Sequence, residues 1–394
     1  MATIRTCSRV SLVSSLLGVA LLGACDNGVP PDGHDELALE RGGIDVEREP
    51  RRVCAAERAA LERQVAAAFD VATADATITT DPDATLLLQA ADGRRFTHSH
   101  GASTATTSYE SASTSKLVTA IVILDLVDQG ALSLDSTAHE LIPFWTGETA
   151  ITLRDLLSFR SGFDEEPPRI GDEPPCIDNP AGNFEECVKK IYRTNLGTAA
   201  RPGTRFDYGS THMQIAGLMA MNATGKTWSE IFAEWKTATG LFPTGVYNLP
   251  SMTNPRLAGG MHWTGEEYLA LLRGLQQGTV LTPASRAELF ADQRGGARVR
   301  YSPILVALDE DWSYGLGNWL ECPTAMGAGT FDCGAGHRNS SPGAYGAYPF
   351  IDFDHHYVGV LARQGANGTF RDGLAIFHEV QELATAWADH RCRP

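Results

Sequence analysis

Residues 113–129 read STSKLVTAIVILDLVDQ, and this stretch decides which folds the chain can adopt. Its apolar residues recur at helical spacing and Gly130 follows as a stop signal, so the pattern predicts a buried helix. At its start, Ser113 and Lys116 form a Ser-x-x-Lys motif. Residues with this spacing share one face of a helix, so the lysine amine can approach the serine hydroxyl.

This pairing of residue types indicates nucleophilic catalysis. A serine hydroxyl is a poor nucleophile unless a neighbouring base removes its proton. A lysine can act as that base when burial disfavours its charged form. A serine at the N-terminus of a helix also has a backbone N–H available to developing negative charge. The motif is short, so its interpretation depends on the rest of the chain.

Composition limits the partners of the protein. The chain has 394 residues, a formal net charge of −16 and 43% hydrophobic residues, which is typical of a globular protein with a large core. It has only 32 Lys+Arg against 48 Asp+Glu, with no run of basic residues. Phosphate binding needs clustered cations, so we expect no nucleic-acid partner.

The N-terminus has the features of an export signal. Arg5 and Arg9 precede an apolar stretch, residues 13–22, which is too short to cross a bilayer as a mature helix. The stretch ends Leu22-Gly23-Ala24-Cys25, which resembles the lipobox of bacterial lipoproteins. Residues 1–24 are therefore predicted to be a signal peptide, with lipid attached to Cys25; a plain secretory signal is the alternative. Residues 25–50 are polar and acidic, as in a flexible tether. The protein is predicted to be held by lipid in a bacterial envelope, on the periplasmic side or the cell surface.

The remaining cysteines fit an exported protein. Without Cys7 and Cys25 their number is even, which favours disulfides in an oxidising compartment. Six cysteines allow fifteen pairings. We favour two local pairs and one long-range pair that ties the first helix of the body to the last; these are Cys176–Cys187, Cys322–Cys333 and Cys54–Cys392. No Cys-x-x-Cys spacing occurs, so a zinc site is not expected.

After residue 50, the sequence pattern predicts strands near both ends of the chain and helices between them. A helix is expected over residues 51–70, a hairpin around Asp92-Gly93, and a final helix near 372–389. Strands are expected at Trp312–Leu320, Ala347–Asp352 and His355–Ala362. Capping boxes begin at Thr227 and Thr264 in the helical middle. The prediction is an α+β fold in which strands from both ends form one antiparallel sheet.

Further motifs follow Ser-x-x-Lys in a defined order. They are LVDQGALSLDSTAHELIP (126–143), ITLRDLLSFRSGF (151–163), PGTRFDY (202–208), LAGGM (257–261) and YGLG (314–317). In order and spacing the chain is similar to the serine hydrolases that include class C β-lactamases, D-alanyl-D-alanine carboxypeptidases and esterases of β-lactamase fold. The resemblance covers most of residues 75–390. It implies a β-lactamase/transpeptidase-like fold for residues 51–394, with an α/β part at about 51–150 and 300–394 and an inserted helical part at about 151–300.

The resemblance also implies roles for single residues. Ser113 corresponds to the nucleophile. Tyr208 corresponds to a phenolate that acts as general base and then passes the proton to the leaving group, and Lys116 to the neighbouring positive charge that would stabilise the phenolate. Ser210 stands where class C β-lactamases have asparagine. The third motif has two placements: Ser341-Pro342-Gly343 followed by Ala344, which we prefer, or His337-Arg338-Asn339. With the first placement, the N–H groups of Ser113 and Ala344 form the oxyanion hole. No metal or organic cofactor is implied.

One departure from the family limits the substrates that we expect. The family's Lys-Thr-Gly motif is absent, because no lysine follows Lys236. Without that cation, recognition of an anionic β-lactam or a peptide C-terminus weakens, whereas a neutral ester loses nothing. Arg338 is one residue that could replace it. We therefore predict a carboxylesterase acting on small ester or acyl substrates. A β-lactamase or D-alanyl-D-alanine carboxypeptidase is the second reading, and a non-catalytic binding protein of the envelope is the third.

Overall fold

The computed structural model describes residues 48–147, 150–163, 175–197, 199–321 and 338–391. The helices in chain order are α1 (Arg48–Ala74), α2 (Ser115–Asp128), α3 (Ala138–Leu141), α4 (Leu153–Leu157), α5 (Phe184–Asn195), α6 (Thr211–Thr224), α7 (Trp228–Thr239), α8 (Gly265–Gln277), α9 (Pro283–Phe290), α10 (Pro303–Leu308) and α11 (Phe370–Asp389). Single 3₁₀ turns span Ala112–Thr114 and Cys176–Asp178.

The strands are β1 (Ala84–Ala90), β2 (Arg95–His100), β3 (Ser108–Glu110), β4 (Arg205–Asp207), β5 (Val246–Tyr247), β6 (Met261–Thr264), β7 (Arg298–Tyr301), β8 (Ser313–Tyr314), β9 (Trp319–Leu320), β10 (Arg338–Ser340), β11 (Tyr348–Asp352) and β12 (Tyr357–Arg363). Seven of them form one sheet in the order β2-β1-β12-β11-β10-β9-β8. Every pairing in this sheet is antiparallel.

The central strands of this sheet are covered on both faces. All residues of β1 and β12 are buried, and both strands are mostly apolar, with Thr85, Gln89 and Arg363 as buried polar residues. A Cβ on Gly265 of α8 would contact Leu87, which places α8 on one face. The ring of Phe377 of α11 lies 4.5 Å from that of Phe350 on the other face, where α1 packs beside α11. The N- and C-terminal helices thus close the sheet together, as expected.

Helix α2 lies between this sheet and the helices of the inserted region. It contacts α6, α7 and α9. Most of its residues are buried, which explains an apolar sequence with no polar face. A small sheet, in the order β3-β6-β5, closes the end of α2 that begins with Ser113. Strands β4 and β7 form a separate parallel pair.

The predicted α+β fold, with one antiparallel sheet built from strands near both ends of the chain, is confirmed. The hairpin around Asp92-Gly93 joins β1 to β2, with Gly93 at φ +87°. The capping boxes of Thr227 and Thr264 are both formed, and the N-cap residue bonds to the backbone of the glutamate three residues on. These features are local in sequence, so the sequence pattern was sufficient to place them.

Three expectations on elements were wrong in detail. Helix α1 begins at Arg48, because Pro50 is tolerated in a first helical turn. His355 and His356 lie in a turn rather than in β12; the carboxylate of Asp352 accepts the His355 N–H at 2.9 Å, and His356 has φ +54°. The region expected to be helical also contains the short strands β4 to β7, whose partners lie far away in sequence.

The disulfide between Cys176 and Cys187 is formed. Cys54 is also disulfide-bonded, while its predicted partner Cys392 and the pair Cys322 and Cys333 lie outside the described residues. The predicted signal peptide, Cys25 and the tether up to residue 47 lie outside them as well. Within the described part of the chain, no helix has the length and hydropathy needed to cross a membrane.

Candidate active site

Ser113 lies in the 3₁₀ turn that leads directly into α2. Ala112 before it has φ +42°, a left-handed conformation that is unfavourable for a residue with a Cβ. Three contacts hold the residues on either side of Ser113. The Met261 N–H donates to the Ser111 hydroxyl at 3.1 Å, and the Tyr268 hydroxyl donates to the Thr114 carbonyl at 2.8 Å. The indole N–H of Trp263 donates to the Thr114 hydroxyl at 2.9 Å. The serine is therefore placed by residues of β6 and α8.

Lys116 reaches Ser113 across one helical turn. Its Nζ lies 2.9 Å from the Ser113 Oγ and 3.1 Å from the carbonyl oxygen of Ala258. The side chain is buried, with 3% of its surface exposed. The amine is therefore close enough to the serine hydroxyl to exchange a proton with it.

Tyr208 follows β4 and faces the same amine. The Lys116 Nζ lies 4.7 Å from the centroid of the Tyr208 ring. The Tyr208 N–H donates to the Tyr301 carbonyl of β7 at 3.1 Å. One residue earlier, the Asp207 N–H donates to the carbonyl of Phe159 at 3.0 Å. Hydrogen bonds to distant segments of the chain therefore hold the backbone at Asp207 and Tyr208.

The Tyr208 ring also lies in an aromatic cluster. It stacks on Trp319, with ring centroids 5.0 Å apart, and meets the edges of Phe159 at 5.2 Å and Tyr314 at 5.9 Å. Phe159 is fully buried and has φ +57°, so the fold holds a bulky residue in a strained conformation at the centre of this cluster. Such strain persists only where surrounding contacts enforce it, and it is frequent next to functional sites.

Ser113, Lys116 and Tyr208 line one cavity of about 360 Å³. Ser210 and Ala344, both predicted site residues, line it too. The remaining described lining residues are mostly apolar: Gly209, Tyr301, Pro303, Ile304, Trp319, Pro342, Gly368 and Phe370. Of the two tryptophans that flank the YGLG motif, Trp319 belongs to the wall, whereas Trp312 packs against Trp319 at 6.4 Å.

The segment 341–344 passes beside the serine. The Ser341 hydroxyl lies 3.4 Å from the Ser113 carbonyl oxygen, and a Cβ on Gly343 would lie 2.7 Å from the carbonyl oxygen of Ser111. The N–H of Ser341 donates to Pro349 and that of Gly343 donates to Ala347. Pro342 has no N–H, so among these four residues Ala344 alone has an N–H without a hydrogen bond to the described residues. This leaves the Ala344 N–H available to a ligand.

The other placement of the third motif is His337-Arg338-Asn339. None of its described residues lines the cavity that contains Ser113. His337 lies outside the described residues. Arg338 lines a different cavity; its Nη2 lies 2.9 Å from the Asp352 carboxylate, and its guanidinium lies over the ring of Phe350. Arg338 therefore does not replace the missing third-motif lysine beside Ser113. Asn339 is buried and donates to Asn318 at 2.7 Å.

A buried histidine lies behind the site. Burial, together with the positive charges of Arg205 and Lys116, lowers the pKa of His212 to about 3. Its ring meets Phe159 edge-on at 5.1 Å, and neither ring nitrogen has a hydrogen-bond partner among the described residues. His212 is therefore neutral near pH 7.

Sequence reasoning missed six of the thirteen described residues that line the cavity. Tyr301, Ile304 and Phe370 come from three separate elements and carry no motif, so no local signal could have found them. Phe159 lies inside the quoted ITLRDLLSFRSGF run, but its strained backbone is visible only in the fold. Among the described residues, Cys54, Glu57 and His390 come close enough to share a metal ion, but the Cys54 sulfur is in a disulfide and offers no thiolate.

A known protein family has the same fold and the same order of these residues along the chain. The family model described as Beta-lactamase matches residues 75–381, which include all the lining residues of the cavity. The chain belongs to the beta-lactamase family. Proteins of this family are serine hydrolases, and this confirms the expected relationship.

Proteins that are similar in sequence match only parts of this chain. Protein flp of Staphylococcus aureus (strain MW2) is 27% identical over 134 residues, which are 33% of this chain and 26% of that protein. Penicillin-binding protein 4 of Amycolatopsis lactamdurans is 28% identical over 158 residues, or 38% of this chain and 37% of that protein. The matched stretches thus span about a quarter to just over a third of these relatives.

Solved structures match over most of the chain. A candidate beta-lactamase from Bacteroides dorei DSM 17855 has a TM-score of 0.65 and 27% identity, covering 77% of this chain and 94% of that one. EstCE1, a hydrolase with promiscuous acyltransferase activity, has a TM-score of 0.66 at 16% identity, with 81% and 99% covered. Simvastatin synthase LovD of Aspergillus terreus has a TM-score of 0.59 at 18% identity, with 82% and 98% covered. The last two likenesses concern the fold alone.

Proposed function

We propose that this beta-lactamase-family protein is a carboxylesterase that works through an acyl-enzyme on Ser113. The observation that carries the proposal is the 2.9 Å distance between the Lys116 Nζ and the Ser113 Oγ, inside a cavity that Tyr208 also lines. A nucleophile, a base and a second proton carrier are then within reach of one substrate carbonyl.

In the acylation step, the Ser113 Oγ bonds to the carbonyl carbon of the ester and its proton passes to the neutral amine of Lys116. The carbonyl oxygen becomes an oxyanion, and the N–H groups of Ser113 and Ala344 stabilise it. Loss of one such donor typically costs about 10²–10³-fold in rate. The carbon–oxygen bond to the alcohol then breaks, and Tyr208 delivers the proton to the departing alkoxide.

Deacylation repeats these transfers with water. A water molecule attacks the acyl carbon and gives its proton to the same base, the bond to Ser113 breaks, and the serine oxygen recovers a proton. Between the two steps the proton passes from Lys116 to the phenolate of Tyr208, whose ring centroid lies 4.7 Å from the amine. General acid–base catalysis of this type typically contributes about 10²–10⁴-fold.

The charge of the cavity favours a neutral ester over a β-lactam. Lys116 is the only Lys, Arg, His, Asp or Glu among the described residues that line it, and the proposal already assigns Lys116 to proton transfer. Arg338, the other cation considered, is engaged by Asp352 in a different cavity. A substrate carboxylate would therefore lack a dedicated partner, and its desolvation would weaken binding.

The test compares the Ser113→Ala variant with wild-type protein on p-nitrophenyl butyrate and nitrocefin. We expect wild type to hydrolyse the ester much faster than nitrocefin, and the variant to lose ester turnover while keeping its melting temperature. Ser108→Ala, at an exposed position of β3, is the control and should retain activity. Full activity in Ser113→Ala would end the proposal. Faster turnover of nitrocefin would favour a β-lactamase, and failure of an active-site fluorophosphonate to label wild type would favour a silent binding protein.

We also propose that the protein is exported and anchored by lipid on Cys25. The Leu22-Gly23-Ala24-Cys25 sequence supports this, and the Cys176–Cys187 disulfide is consistent with an oxidising compartment. In a bacterial host fed an alkyne fatty acid, wild type should be labelled and pellet with membranes, whereas Cys25→Ser should be unlabelled. Absence of label in wild type would contradict the anchor without affecting the proposed chemistry.

A further inference from the structure

We infer that Ile304 sets the length of the acyl chain that the Ser113 cavity accepts, so that the preferred substrates are esters of uncharged, apolar acyl groups of limited length. The inference rests on the proposed ester hydrolysis and adds the substrate class and the residue that determines it.

The cavity has the character of a subsite for an apolar group. Apart from Ser113, Lys116, Tyr208 and Ser210, its described walls are formed by apolar side chains, one tyrosine and backbone. Its volume of about 360 Å³ lies at the lower end of small-molecule pockets, so the group that it holds must be short. Burial of each further methylene strengthens binding until the cavity is full.

The acyl part of the ester is the part that this subsite should hold. Once the alcohol has left, the acyl group stays bonded to Ser113 until water attacks it, whereas the alcohol needs a path to solvent. Apolar walls that adjoin the Ser113 Oγ therefore suit the group that remains through both steps. Holding that group in place keeps the acyl carbon near the attacking water.

One wall of the cavity cannot adapt to a longer chain. The Trp319 ring is fixed by four aromatic neighbours, with centroids 4.8 Å from Tyr314, 5.0 Å from Tyr208, 6.0 Å from Phe206 and 6.4 Å from Trp312. Protein interiors packed in this way do not yield to an added methylene without strain. A change on this wall would also displace Tyr208, so Trp319 is a poor site at which to vary chain length.

Another part of the lining comes from the short helix α10, Pro303–Leu308. Ile304 on this helix is 1% exposed and lines the cavity, whereas Val306 of the same helix is 71% exposed. The Ser302 hydroxyl caps the helix by accepting the Leu305 N–H at 3.3 Å. Ile304 is therefore a buried side chain presented to the ligand by an element that packs on one side only, and its size limits the cavity.

The experiment measures kcat/KM for p-nitrophenyl acetate, butyrate, hexanoate, octanoate and decanoate with wild type, Ile304→Ala, Ile304→Val and Ile304→Phe. In wild type we expect a maximum followed by a fall of about 10-fold or more per added pair of methylenes. Ile304→Ala should move the fall to longer chains, Ile304→Val by less, and Ile304→Phe to shorter chains. Val306→Ala is the control and should keep the wild-type profile. An ester whose acyl chain ends in a carboxylate should be hydrolysed at least 10-fold more slowly than its methyl-ended counterpart.

The outcomes separate the two proposals. If wild type hydrolyses none of these esters, both ester hydrolysis and this inference fail. If wild type hydrolyses them and no folded Ile304 variant changes the profile, the inference alone fails. A series of alkyl butyrates with longer alcohols is measured in parallel; a shift confined to that series would show that Ile304 bounds the alcohol side and would overturn the acyl assignment. Ile304→Val and Ile304→Phe keep the test valid if Ile304→Ala does not fold.

Discussion

The amine of Lys116 lies over the face of the Tyr208 ring, 4.7 Å from its centroid, while it stays within hydrogen-bond distance of Ser113. The lysine thus contacts both the nucleophile and the second proton carrier, and two different properties of the tyrosine can act on it. The ring attracts a cation, and the hydroxyl can carry a proton.

Tyr208→Phe separates these two properties. The variant keeps the ring, its stacking on Trp319 and its contact with Lys116, but it loses the hydroxyl. We expect kcat for p-nitrophenyl butyrate to fall by roughly 10²–10⁴-fold with little change in KM or melting temperature. The control is Tyr357→Phe, which removes a hydroxyl that faces Thr385 of α11. A Tyr208→Phe enzyme with wild-type kcat would exclude the tyrosine from proton transfer.

Phe159→Leu tests whether the strained residue behind Tyr208 positions it. The variant keeps apolar bulk but loses the ring that meets Tyr208 edge-on. We expect kcat to fall by roughly 10–100-fold with KM nearly unchanged, because small displacements of catalytic groups are costly. Phe242→Leu is a matched control, since Phe242 is also fully buried with a positive φ of 49° but lines no part of the cavity. Equal losses of kcat in both variants would point to general destabilisation instead.

Arg338→Met tests whether Arg338 stabilises the fold and takes no part in substrate binding at Ser113. The guanidinium is buried and paired with Asp352, so its removal leaves a buried carboxylate without its partner. We expect the free energy of unfolding to fall by about 3–5 kcal/mol, measured by urea denaturation. The ratio of ester to nitrocefin turnover should not change, because Arg338 does not face Ser113. The exposed Arg298→Met variant should keep wild-type stability. A selective change of nitrocefin turnover in Arg338→Met would place Arg338 in substrate binding.

His212 makes stability depend on pH in acid. Burial and nearby positive charges lower its pKa from 6.5 to about 3, so between these values the unfolded chain binds a proton that the folded protein does not. Stability therefore falls as pH decreases from 6.5 towards 3, by up to about 1.4 kcal/mol per pH unit for this one group.

The measurement is the melting temperature against pH for wild type and His212→Gln. The variant cannot titrate in this window, so its curve should be shallower between pH 6.5 and 3, whatever its stability at neutral pH. His356→Asn removes an exposed histidine at a position with positive φ and should keep the wild-type slope. Identical slopes for wild type and His212→Gln would contradict the assignment of a buried neutral imidazole.

The sequence alone determined the elements and the pair at the start of α2. Apolar periodicity, capping residues and the Asp92-Gly93 turn act over a few residues, so they predicted the helices and the hairpin. Ser113 and Lys116 are neighbours on one helix, and their 2.9 Å contact follows from helical geometry. The family likeness located Tyr208 because motif order is preserved along a chain.

Only the tertiary structure decided the shape and charge of the cavity. Ile304, Trp319 and Phe370 come from separate elements, and they meet because the sheet and the inserted helices pack around α2. The same packing turned Arg338 away from the serine, left the Ala344 N–H without a hydrogen bond to the described residues, and strained the backbone of Phe159. Contacts of this kind join residues that are far apart in the chain, and sequence patterns of short range contain no information about their distances.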